Sequence, residues 1–180
     1  MSKHVMIDLE TMGTGANAPI MSIGAVRFDI NGVDTLSPFY ANVDLKSAVD
    51  GGGVMDPSTV LWWLDQDKEA IKALKGNELH INQALLNLLN WMGGASKIRD
   101  NFVWGNGSDF DNVILRSAYD RMPLTVPWRY TNNRCYRTIK NEFGADIQFV
   151  RVGTAHNALD DAISQAEHLI KIYRHHGWSL

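Results

Sequence analysis

The stretch His4-Val5-Met6-Ile7-Asp8-Leu9-Glu10 alternates as a β-strand does, with Val5, Ile7 and Leu9 on one face and Met6, Asp8 and Glu10 on the other. Its apolar residues suit a central, buried strand. Asp8 and Glu10 are two apart, so they point to the same face. They emerge at the strand's C-terminal end, ahead of a loop from Met12 to Pro19 that holds Gly13, Gly15 and Asn17. Open α/β sheets carry their sites at that end. A lone Asp-x-Glu arises by chance and can be a solvated edge. On a buried strand, however, two carboxylates need a partner or a metal ion.

Working outward, Ile20 to Asp29 is rich in β-branched and apolar residues, Asn31-Gly32 is a hairpin signal, and Thr35 to Val43 supplies a third strand. Gly51-Gly52-Gly53 marks a flexible turn. Asp56 to Leu64 reads as a helix, with a capping Asp and with Pro57 at the first helical position. Lys68 to Leu74 suggests a short second helix. Ile81, Ala84, Leu85, Leu88 and Met92 keep the helical period until Gly93-Gly94 ends it. Phe102 to Trp104 fits a buried parallel strand and Gly105-Asn106-Gly107 a turn, with Ser108 as cap of a helix running to about Arg121. Met122 to Asn133 carries two prolines and reads as an irregular connection with at most one short strand. Arg134 to Phe143 is expected to be helical. The last helix places Leu159, Ala162, Ile163, Ala166, Ile170 and Tyr173 on one stripe and stops at Gly177. Three antiparallel strands followed by helices alternating with short strands make an α/β fold, a mixed sheet flanked by helices.

The 180 residues fit one domain, taken as 1–180, with no internal repeat. Apolar residues at 45% exclude disorder as the main state. No run of about 18 apolar residues exists, so no membrane span or membrane partner is expected. Met1-Ser2-Lys3-His4 leads straight into a strand-like segment, with no apolar core before a small-residue cleavage site, so no signal peptide is expected. Cys135 is the only cysteine and reads as a small core residue, and the expected compartment is the cytoplasm. A net charge of -3 excludes coating of nucleic acid by bulk positive charge, so any such contact is local. Metal-dependent enzymes with carboxylate clusters meet that condition.

Two further signals join Asp8 and Glu10. Ser108-Asp109-Phe110-Asp111 follows the short strand and puts Asp111 in a helical first turn, where an acid also favours the helix dipole. Spacing does not choose between Asp109 and Asp111. In His156-Asn157-Ala158-Leu159-Asp160-Asp161, a cap at Asn157 brings His156 beside Asp161 by the geometry of the hydrophobic staple. Asp160 then takes the capping-box position. Together the signals gather carboxylates and one histidine at the ends of two strands and a helix. Carboxylates are hard ligands for Mg²⁺ or Mn²⁺, and two such ions can drive phosphodiester cleavage. Histidine can accept the proton of the attacking water.

Ile7-Asp8-Leu9-Glu10-Thr11, Gly105 to Asp111, and His156 to Ala162 resemble the three motifs of the DEDDh (DnaQ-like) 3′–5′ exonucleases, in order and rough separation. Trp62-Trp63 after Pro57-Ser58-Thr59, and Cys135-Tyr136-Arg137-Thr138, resemble the branch with bacteriophage exonuclease A and mycobacterial exoribonuclease-type proteins. The resemblance implies a ribonuclease H-like fold and the catalytic set Asp8, Glu10, Asp111, His156 and Asp161. By the same resemblance Asp8 bridges two Mg²⁺ or Mn²⁺ ions, Glu10 and Asp161 complete the nucleophile-side site, Asp111 supports the leaving-group ion, and His156 is the general base. Asp111 is preferred to Asp109 because it follows Phe110 as in the family pattern. Thr11 and Met12 fall where relatives contact the terminal nucleotide, Met12 as an apolar wedge.

Other residues keep two readings. One of Trp62 and Trp63 stacks on a base, or both pack on the sheet. Asn106 and Asn157 touch substrate or serve as turn and cap residues. Arg134, Arg137 and Lys140 steer phosphates or form a solvated face. The implied activity is release of nucleoside 5′-monophosphates from single-stranded 3′ ends, with DNA the first choice of substrate and RNA close behind. The competing functions are a non-catalytic binding or accessory subunit, a proofreading subunit and other phosphodiester chemistry. A homodimer is among the assemblies the sequence allows.

Overall fold

Five strands form one sheet in the order β3-β2-β1-β4-β5 in the computed structural model, which describes residues 3–107 and 109–180. β1 (His4–Thr11) lies between β2 (Ile20–Asp29) and β4 (Phe102–Gly105). It pairs antiparallel with β2 and parallel with β4. β3 (Gly32–Asn42) extends the antiparallel half, and β5 (Asn133–Cys135) the parallel half. This is the mixed sheet expected from the sequence.

Both faces of β1 are buried because helices cover both sides. Val5, Ile7 and Leu9 join a core with Leu85 and Leu88 of α4 (Ile81–Trp91) and with Ile114 and Leu115 of α5 (Asp111–Arg121). On the other face Met6 packs with Val26, Phe28 and Trp104 against Ala162, Ala166 and Leu169 of α7 (Ala158–His175). Each such fully buried aliphatic side chain contributes about 1.5–3 kcal/mol. α7 can sit close because its contact stripe is built on alanines. Its first turn lies directly over β2 at Gly24, where an added Cβ would fall 2.2 Å from the Ala158 carbonyl carbon.

The described elements depart from expectation before the glycine run, at the start of the helix expected from Arg134, and at Cys135. A short helix, α1 (Leu45–Asp50), precedes the glycine run, capped by the Asp44 carboxylate on the Lys46 N–H. α2 (Pro57–Leu64) and α3 (Lys68–Ala73) fall where expected. β5 takes Asn133–Cys135, so α6 (Tyr136–Phe143) starts two residues later than the pattern suggested. Cys135 is half-buried, and its Sγ caps α6 by accepting from the Thr138 N–H. The expected cap at Ser108 lies outside the described residues. Among the described residues no helix is long and apolar enough to cross a membrane.

Candidate active site

β4 pairs with β1 only from His4 to Met6, and Asp8 and Glu10 lie beyond the end of that pairing. There the chain of β4 turns away into α5, and the freed edge of β1 needs a new acceptor. Asp111 provides it. Its Oδ1 accepts from the Leu9 N–H at 3.2 Å and its Oδ2 from the Asn106 N–H at 2.7 Å. Asp111 is buried and Asp109 exposed, so the structure brings Asp111 to the site.

α7 supplies the opposite side. Asn157 caps it, accepting from the Leu159 and Asp160 N–H groups. Asp161 then sits in the first turn, where its Oδ2 accepts from the His156 N–H at 3.0 Å. His156 has φ +61°, a left-handed conformation uncommon for a non-glycine residue and characteristic of functional turns. That turn sets the imidazole edge-on against Trp62 and Trp63, at centroid distances of 5.0 and 6.2 Å. Glu10, His156 and Asp161 offer ligand atoms all within 4.8 Å of one another. Asp160 accepts instead from the Thr154 N–H at 2.7 Å and holds the preceding loop.

The carboxyls perturb one another. Burial, then Asp111, Glu10 and Asp161, push Asp8 well above the usual carboxylate range, against a hydrogen bond from Gln165. Burial and the Asp161 and Asp111 charges raise Glu10 to about 8. Burial raises Asp111 to about 6, although its backbone donors and the charge of Arg137 oppose the rise. A nest of buried anions with too few cations is a site built for added positive charge. Its hard oxygen donors, with one imidazole, fit Mg²⁺ or Mn²⁺.

Asp8, Glu10, His156 and Asp161 line a cleft of about 890 Å³, with Asp111 buried close to Asp8 and Glu10. Thr11, Ser58, Thr59, Trp62, Trp63, Tyr136, Lys140, Phe149 and Arg151 are among its other lining residues. Trp62 is exposed, whereas Trp63 is buried and donates its Nε1–H to the Thr11 carbonyl at 3.0 Å. The Thr11 hydroxyl donates to the Gly13 carbonyl at 2.7 Å. Asn106 lines the cleft, and its Oδ1 has no hydrogen-bond partner among the described residues. Met12 is set elsewhere: its side chain packs with Met21, Trp63 and Ala70 and lines a neighbouring apolar cavity. Of the basic candidates, Lys140 lines the cleft, while the Arg134 guanidinium lies 4.8 Å from the Phe102 ring centroid.

Sequence reasoning missed Gln165 and Arg151. Gln165 lies one helical turn past Asp161 and donates from Nε2 to Asp8 Oδ1 at 2.7 Å. Arg151 forms an ion pair with Asp161. The i,i+4 spacing of Asp161 and Gln165 could have flagged the first; Arg151 sits in a loop and carries no pattern.

A family model described as the 3′-5′ exoribonuclease Rv2179c-like domain matches residues 3–173. An exodeoxyribonuclease of Enterobacteria phage T4 is 27% identical over 128 residues, covering 61% of this chain and 52% of that protein. The chain thus spans about half the length of that curated relative. Among solved structures, the nuclease domain of 3′hExo, a DEDDh family member bound to rAMP, superposes with a TM-score of 0.62 at 12% identity, covering 96% of this chain and 92% of that one. Escherichia coli exonuclease I in complex with a dA16 oligonucleotide gives a TM-score of 0.62 at 15% identity, covering 95% and 41%. At those identities the likeness establishes the ribonuclease H-like fold. The match over nearly the whole chain establishes more: this protein belongs to the Rv2179c-like 3′–5′ exoribonuclease domain family.

Proposed function

We propose that residues 1–180 act as a single metal-dependent exonuclease domain that removes nucleoside 5′-monophosphates from single-stranded 3′ ends. The observation that carries this reading is the convergence of Asp8, Glu10, Asp161 and His156 in one cleft with Asp111 buried beside them, and with Asp8, Glu10 and Asp111 held above the usual carboxylate range. Asp8, Glu10 and Asp161 would hold the nucleophile-side ion. Asp8 with Asp111 would serve the leaving-group side. Both Asp111 oxygens already accept backbone N–H groups, which suits support through water. When bound, Mg²⁺ or Mn²⁺ supplies the charge that activates the attacking water and stabilises the leaving 3′-oxygen.

The chain's own groups do the rest. His156 accepts the proton of the attacking water. The water oxygen bonds to phosphorus, the P–O3′ bond breaks, and the terminal nucleotide leaves with its 5′-phosphate. Gln165 fixes the Asp8 carboxylate. Trp62 offers a face to the terminal base.

The broad family match moves RNA ahead of DNA, reversing the order of the sequence expectation, while the phage relative keeps DNA as the second reading. Mass spectrometry of products from matched 5′-labelled RNA and DNA strands tests this. Nucleoside 5′-monophosphates, formed faster from RNA, support the reading; 3′-monophosphates or internal fragments contradict it.

A further inference from the structure

Arg151 stands in the segment joining α6 to α7, residues 144–157, and its guanidinium pairs with Asp161. The backbone on either side is fixed to α7. The Ile147 carbonyl accepts from His168 Nε2 at 2.9 Å, the Val152 N–H donates to Ser164 Oγ at 2.8 Å, and the Thr154 N–H donates to Asp160 Oδ2 at 2.7 Å. The side chain itself is partly exposed, at 43%, and lines the cleft beside Phe149 and Lys140. Arg151 is therefore a cation on a short tether from an anchored base. Its partner is one of the carboxylates assigned above to a divalent cation, so that pairing suits the metal-free protein. Divalent charge at the nest would repel the guanidinium and remove its acceptor. The nearest new anion would be the phosphodiester that the same cleft receives, and the planar guanidinium fork matches phosphate oxygens.

We propose that Arg151 is an exchangeable gripping residue, paired with Asp161 in the metal-free protein and with a phosphate of the bound strand once divalent cations fill the carboxylate nest. It rests on the exonuclease reading. Together with Lys140 it gives two cations to a cleft that Trp62 and Trp63 also line.

The test is fluorescence anisotropy of a 5′-fluorescein hexaadenylate strand with a 3′-terminal phosphorothioate linkage, read with Ca²⁺ and with EDTA over a range of salt. With Ca²⁺, Arg151→Gln is expected to bind about tenfold more weakly than wild type. The slope of log affinity against log salt should fall by about 0.7, the value for one phosphate contact on a single strand. Arg151→Lys should retain part of both effects. In EDTA, Arg151→Gln should bind no worse than wild type. Thermal melts of both variants verify folding. Equal affinity and slope for wild type and Arg151→Gln in Ca²⁺ would overturn the proposal. So would an equal loss in EDTA and in Ca²⁺, or absence of wild-type binding in Ca²⁺. Cleavage of an unmodified strand by the wild type in Mn²⁺ is scored separately, and its absence would count against the exonuclease reading instead.

Discussion

Glu10→Gln should stabilise the metal-free protein while destroying its activity. Glu10 is 7% exposed, and burial together with Asp161 and Asp111 raises its carboxyl from 4.5 to about 8. In the unfolded chain the group ionises near pH 4.5; in the folded chain it keeps its proton to about pH 8. The folded state therefore binds more protons between those values. Its stability is full below the lower value and falls progressively as pH rises towards the upper one. At about 1.4 kcal/mol per unit the loss approaches about 5 kcal/mol above pH 8. Burying a poorly paired amide returns about 1–3 kcal/mol of that. A net gain of about 3 kcal/mol remains, equivalent to about 6–12 °C in Tm for a domain of this size. The assay is a thermal melt in EDTA at pH 8.5 and pH 5, with wild type and Glu10→Gln side by side. The variant should melt higher at pH 8.5, and the gap should close at pH 5. A variant that melts lower than wild type at pH 8.5 would refute the picture of a charge-frustrated nest.

Other perturbations separate the parts of the site. Gly24→Ala puts a Cβ 2.2 Å from the Ala158 carbonyl carbon, so the first turn of α7 must lift. Thermal melts should show a loss of about 1–3 kcal/mol, and turnover should drop as Asp161 moves from Glu10. His156→Ala should lower kcat by about 10²–10⁴ while strand affinity, read by anisotropy, stays within twofold. Gln165→Leu should weaken Mn²⁺ binding by about 10–100-fold in calorimetry, since Asp8 loses its amide donor. Trp62→Ala should raise KM by about tenfold with an unchanged melt, because the ring is 43% exposed.

Much of this site was legible because its chemistry is local in sequence. Two-residue spacing on a strand put Asp8 and Glu10 on one face, and a cap followed by a helical turn put His156 against Asp161. Choosing Asp111 over Asp109 needed the family pattern of Phe110; the physical cause is the unpaired Leu9 N–H, 102 positions away, which only the fold reveals. Gln165 meets Asp8 across 157 positions, and Gly24 matters only because a helix 134 residues later lands on it. Arg151 was hidden for a similar reason, since loop residues carry no period. α1 escaped because six residues are too few to show a helical pattern beside a glycine run. Met12 was read by analogy with relatives, whereas its apolar side chain is drawn into the cluster with Met21 and Ala70.

The most direct measurement follows 5′-labelled single strands of RNA and DNA incubated with the wild type and with Asp8→Ala, in Mg²⁺, in Mn²⁺ and in EDTA. A ladder shortening stepwise from the 3′ end with either metal, and absent in EDTA and in the variant, is the predicted result. Cleavage that persists in EDTA or in Asp8→Ala, or no cleavage of either strand with either metal, would contradict the assignment of the carboxylate nest as a metal-dependent exonuclease centre.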